Sequence, residues 1–89
     1  MYLTPDPNNR PNDTVREVQQ KLNAIRSNFH HTWEYLAVDG VYGKASALAV
    51  KAFQQYKGIL SQSSALGPVL GDTTVEYIRQ EYPHLPWSL

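Results

Sequence analysis

Val38-Asp39-Gly40-Val41-Tyr42-Gly43-Lys44-Ala45-Ser46-Ala47-Leu48-Ala49-Val50-Lys51-Ala52-Phe53-Gln54 joins a tight turn to a helix entrance. An Asp side chain bonds its own backbone and a Gly accepts positive φ, so Asp39-Gly40 reads as a turn. Gly43 reads as a sharp entry into a helix spanning roughly residues 44–57, with Gly58 as its left-handed stop. Apolar residues fall on two stripes: Ala49, Val50 and Phe53 on one, Ala45, Leu48, Ala52 and Tyr56 on the other. A helix apolar on most sides belongs at the centre of a fold, and alanines let its neighbours come close.

A first helix is legible upstream. Val15, Val18, Leu22, Ile25 and Phe29 recur at steps of three and four, one stripe over about four turns. Thr14-Val15-Arg16-Glu17 has the form of a capping box, with the Thr14 hydroxyl on the Glu17 amide. Arg16, Glu17, Gln19, Gln20, Lys21 and Asn23 are expected on the wet face. A third helix carries Val75, Ile78 and Tyr82, capped by Asp72 or a neighbouring Thr, and Pro83 ends it. Residues 29–42 are aromatic and lack a period, which suits an ordered loop packed on the bundle. Residues 58–71, with Gly67-Pro68 and Gly71, also read as loop. The tail holding Leu85 and Trp87 is expected to fray or to fold back.

The entrances to the second and third helices echo one another. Val41-Tyr42-Gly43-Lys44-Ala45-Ser46 aligns with Val69-Leu70-Gly71-Asp72-Thr73-Thr74. Each copy places two apolar residues, a Gly, and then a hydroxyl in the first helical turn. Two copies are too few for a solenoid, so a small all-α three-helix bundle with long ordered loops is expected.

Composition narrows the function. Eighty-nine residues support a single domain with a thin core. Pro5, Pro7 and Pro11 keep residues 1–12 from forming a helix, so they read as a linker or lead-in to a domain over 13–89. Eight basic residues balance eight acidic ones without runs, which disfavours nucleic acid and anionic membrane. A DNA-binding helical domain is disfavoured on the same ground. The start has no basic segment followed by an apolar run, unlike a signal peptide. No stretch approaches the roughly 20 apolar residues of a membrane span. The absence of Cys excludes disulfides and thiol chemistry.

Together these motifs resemble the small three-helix peptidoglycan-binding domain of bacterial and phage cell-wall hydrolases. The resemblance runs from Val15 to Ile78. It rests on Val15-Arg16-Glu17-Val18-Gln19-Gln20-Lys21-Leu22-Asn23, Val38 to Gly43, Ser46, Ala49 to Gln54, and Gly71 with Thr74 and Ile78. The chain departs from the pattern where Gly67-Pro68 stands for a second Asp-Gly turn, and in its long aromatic segment before Asp39. The resemblance implies a non-catalytic module that holds a fused catalytic domain on the cell wall. It places the protein in the cell envelope or outside the cell, and its partner is a glycan strand or stem peptide. A scaffold domain that kept the fold and lost wall binding is the competing reading.

Candidate ligand contacts follow from chemistry. Trp33, Tyr35, Tyr42 and Tyr56 offer flat faces with polar tips, suited to sugar rings, though at the boundary of a small bundle such rings more often serve as core or edge packing. Asp39 suits a ligand hydroxyl, though such an Asp more often serves only its own turn. Gln54 is expected to point away from Phe53, toward solvent or a groove. The free amides at the Gly43 and Gly71 helix entrances, aided by Lys44 or Arg16, suit a carboxylate. Gly40, Gly43 and Gly71 are expected to act as backbone turns. His30 and His31 are adjacent and cannot share a helix face, and no Cys or acidic cluster joins them, so no metal site is expected. No cofactor, catalytic residue or oligomer is expected either.

Overall fold

The first helix starts where a side chain can satisfy its free amides. In the computed structural model, which describes residues 2–5, 10–59, 63–64 and 67–82, Asn12 is the cap of α1 (Asp13–Ile25). Its Oδ1 accepts the Thr14 amide at 2.8 Å and the Val15 amide at 3.1 Å. The expected capping box at Thr14 is therefore not used. Asn12 wins because its own amide is tied to the Gly40 carbonyl at 2.9 Å, which places it at the helix mouth. Glu17, freed from that box, reaches Arg79 and Lys21 instead.

The α1 stripe of Val15, Val18, Leu22 and Ile25 is buried, as its period predicts. A 3-10 turn, Arg26–Phe29, continues it and buries Phe29. His30 and His31 follow with φ of 58° and 55°, reversing the chain at an exposed corner. The stretch from there to Gly43 is an ordered loop that gives Trp33, Leu36 and Tyr42 to the core.

The central helix, α2 (Lys44–Lys57), ends at Gly58 with φ 66°, as read from its pattern. Ala49, Val50 and Phe53 have no exposed surface. The Phe29 ring meets Phe53 edge-on, with centroids 5.5 Å apart, and also touches Trp33 and Tyr56. The second expected stripe is a correction. Ala45 is exposed, Leu48 is 60% exposed and Tyr56 49%, while Ala52 is half-buried. The other buried positions on α2 are Ser46, Ala47 and Gln54. With the core neighbours gathered on one side, Ala45 and Leu48 are left in solvent, and Ala52 and Tyr56 touch the core only at its edge.

The chain then forms three two-residue strands, β2 (Ser63–Ser64), β3 (Gly67–Pro68) and β4 (Leu70–Gly71), before α3 (Asp72–Glu81). β2 pairs antiparallel with β3, and β4 pairs antiparallel with β1 (Tyr2–Leu3) in the register Tyr2–Gly71 and Leu3–Leu70. Gly67-Pro68 was expected as plain loop and instead belongs to a short pairing. Gly71 is the N-cap of α3, so Asp72 is its first residue and not its cap. Val75 and Ile78 are buried against α1, whereas Tyr82 is 38% exposed beneath Lys21. Arg79 grips Glu17 with two hydrogen bonds of 2.8 Å, clamping α3 to α1. The tail with Leu85 and Trp87 lies outside the described residues. The architecture among them is a small all-α three-helix domain.

Candidate functional site

Gln19 organises the turn that precedes α2. It was expected on the wet face of α1, yet it is 1% exposed. Its Nε2 donates to Asp39 Oδ1 at 3.0 Å, the Val41 carbonyl at 3.1 Å and Ser46 Oγ at 3.0 Å. Its Oε1 accepts the Gly40 amide at 2.8 Å. A buried polar group must be bonded, and here one side chain satisfies a whole turn. Gly40 has φ 78°, and a Cβ there would lie 3.1 Å from the Asn12 backbone, so Gly is required.

Gln54 does the same work one helix later. It is 4% exposed, and its Nε2 donates to the Val69 carbonyl at 3.1 Å and Thr74 Oγ1 at 3.0 Å. Val41 and Ser46 correspond to Val69 and Thr74 in the sequence echo. Each helix entrance thus lacks a side-chain cap at its Gly and is secured by a glutamine from the preceding helix. The signal was present in Val18-Gln19-Gln20 and Phe53-Gln54-Gln55, where a glutamine directly follows a core residue of the stripe. Gln54 is consequently not a groove residue, which corrects its expected outward direction.

Two more candidates are internal. Trp33 is 4% exposed, and its Nε1 donates to the Leu22 carbonyl at 3.1 Å, closing the open end of the core. Tyr42 is 1% exposed and donates to the Pro68 carbonyl at 2.8 Å; burial pushes its phenol far above the usual range. Neither ring has a face left for a sugar. The flanking geometry of Gly43 and Gly71 also differs from expectation. Their φ values of −96° and −101° are open to any residue, and a Cβ on Gly43 would meet nothing within 4 Å. These positions are helix caps and not strained turns.

The remaining candidates lie at the surface. Asp39 Oδ1 accepts the Val41 amide at 2.9 Å as well as the Gln19 amide. The Val41 bond first, then Gln19, holds its carboxyl below the usual range. Asp39 and Lys44 stand on the rim of a shallow hollow of about 210 Å³, floored by Gln19 and Ser46 and edged by Ala37 and Ala45. It offers an acid, an ammonium and the start of α2 to a polar ligand. Tyr35 is 70% exposed and stacks on the Arg26 guanidinium at 4.5 Å. Arg26 also donates to the Trp33 carbonyl, which ties this exposed ring to the loop. Tyr56 is set edge-on to Phe29, with its hydroxyl 3.0 Å from Thr32 Oγ1.

A larger hollow of about 450 Å³ lies on the outer face of α3, edged by Asp72, Glu76 and Tyr77. Among the described residues, no three His, Asp or Glu side chains gather to hold a metal ion. No helix among them is long and apolar enough to cross a membrane.

Neither a curated protein nor a solved structure matches the chain. The family model of a peptidoglycan-binding domain does match, over residues 11–61 and thus more than half of the sequence. That interval takes in the Asn12 cap, the Gln19-locked turn and the whole of α2, and on this match the chain belongs to the peptidoglycan-binding domain family.

Proposed function

We propose that this protein is a non-catalytic module that binds peptidoglycan and so retains an attached enzyme or partner at the cell wall. Membership of the peptidoglycan-binding family is the observation that carries this reading. The geometry is compatible with it. The buried polar groups Gln19, Gln54, Ser46 and Thr74 are spent on holding helix entrances, as a rigid scaffold requires. The exposed polar and aromatic groups lie on shallow surfaces, which suits a long polymer better than a small substrate.

A small module offers a modest contact area, so single-site affinity is weak, and retention comes from many sites on one polymer and from the tether. The environment of such a module is the cell envelope or the extracellular side, and its ligand is a glycan strand or a stem peptide of the wall.

The test is co-sedimentation of the full chain with purified insoluble peptidoglycan, with soluble muropeptide as competitor. Retention that the competitor reverses supports the reading. A protein that stays in the supernatant at every wall concentration refutes it and leaves the scaffold role.

A further inference from the structure

Among the described residues, the outward stripe of α2 is largely open to solvent: Lys44, Ala45, Leu48, Lys51, Gln55 and Tyr56 are exposed, and only Ala52 and one edge of Tyr56 reach the core. Lys44, Lys51 and Gln55 form one row along it, and Ala45, Leu48, Ala52 and Tyr56 form the adjoining row, by the helical period. Leu48 is 60% exposed at the centre of this face, and Tyr56, 49% exposed, lies at its far end. The two lysines stand two turns apart, about 10 Å along the axis. Neither pairs with a carboxylate among the described residues, whereas Lys21 and Lys57 are both paired. The helix itself contains no Asp or Glu.

Resting on the wall-binding reading, we propose that this face of α2 is where the polymer lies, with sugar rings on Leu48 and Tyr56 and stem-peptide carboxylates at Lys44 and Lys51. The chemistry is matched at both rows. Sugar rings present C–H faces that pack on apolar and aromatic side chains. The stem peptides bring the negative charge that α2 lacks. Tyr56 is held for the task, its ring edge-on to Phe29 and its hydroxyl against Thr32. At its start the face runs into the Asp39–Lys44 hollow, so the track is continuous with that rim. The hollow on α3 is a poorer seat for this polymer, because Asp72 and Glu76 repel carboxylates. A second copy of this chain is also disfavoured as occupant. A two-fold contact through this stripe would bring both lysines of each copy together with no acid on either helix.

The experiment uses the full chain in co-sedimentation with insoluble peptidoglycan at low and high salt. The variants are the double substitution K44Q/K51Q, Leu48→Ser, and Tyr77→Ser on the outer face of α3 as control. Each is checked for an unchanged melting temperature. With wild type retained, K44Q/K51Q is expected to bind about fivefold more weakly at low salt and to lose its salt dependence. Leu48→Ser is expected to bind about threefold more weakly at either salt, and Tyr77→Ser like wild type. If wild type is retained and both α2 variants match it, the track is elsewhere while wall binding stands. If wild type is not retained, both readings fall. Concentration-dependent dimerisation abolished by Leu48→Ser would overturn the polymer as occupant and assign the face to self-association.

Discussion

Replacing Gln19 with Ala removes one amide and exposes how much of the turn depends on it. The substitution takes away the acceptor of the buried Gly40 amide and the donor shared by Asp39, the Val41 carbonyl and Ser46 Oγ. Asp39 still holds the Val41 amide, so its loss is partial. Gly40 and Ser46 are buried, so their orphaned groups have no ready water. At about 1–3 kcal/mol for each unsatisfied buried group, the expected loss is about 2–5 kcal/mol. That is a large share of the roughly 5–15 kcal/mol that holds a domain of this kind together. At about 4–8 °C per kcal/mol, the melting temperature should fall by ~8–40 °C. Thermal unfolding followed by far-UV circular dichroism measures this directly. Gln19→Glu is a useful companion, because it keeps the shape and sets a carboxylate against Asp39. If Gln19→Ala melts within about 3 °C of wild type, the glutamine is an ornament and the reasoning fails.

Phe53→Ala should cost about 3–5 kcal/mol in denaturant unfolding, since the ring is fully buried against Phe29. Gly40→Ala should cost about 1–3 kcal/mol, from φ 78° and the 3.1 Å approach to Asn12. Gly43→Ser should instead stabilise by a few tenths of a kcal/mol, ~0.3, because its extended backbone suits a capping hydroxyl and nothing crowds a Cβ; the melting temperature reads this too. Arg79 first, then Lys21, pulls the Glu17 carboxyl down from 4.5 to about 2. A depressed carboxyl stabilises the fold in full above its unfolded value and loses that contribution as pH falls from about 4.5 toward 2. The clamp is partly exposed, so a loss of only about 0.5–1 kcal/mol is expected, and Glu17→Gln should flatten that limb of an acid-unfolding profile.

Much of the frame could be read from local pattern. The α1 stripe and the bounds of α2 follow from a 3.6-residue period and a glycine stop, both properties of neighbours in sequence. Asp39-Gly40 is equally local. The misreadings share a different cause. Asn12 and Thr14 both signal a cap, and a contact with Gly40, 28 residues away, decides between them. Trp33 and Tyr42 look like sugar platforms until the loop folds them inward, onto Leu22 and Pro68 carbonyls. Gln19 and Gln54 look like solvent residues because glutamine usually is one. Their burial becomes intelligible only when the repeated carbonyl and hydroxyl are placed beside them. Conversely, Leu48 looks like core because it is apolar. Which side of α2 faces the bundle is set by where α1 and the long loop pack, and period alone does not encode that.

The most direct measurement is amide chemical-shift mapping on the isotopically labelled full chain, titrated with purified soluble muropeptide fragments. Perturbations should concentrate at Lys44, Leu48, Lys51, Gln55 and Tyr56, fade across the Asp39 rim, and leave the buried Trp33 and Gln54 amides unmoved. Saturating fragment with no change along that helix, or change confined to the far hollow of α3, would contradict the account.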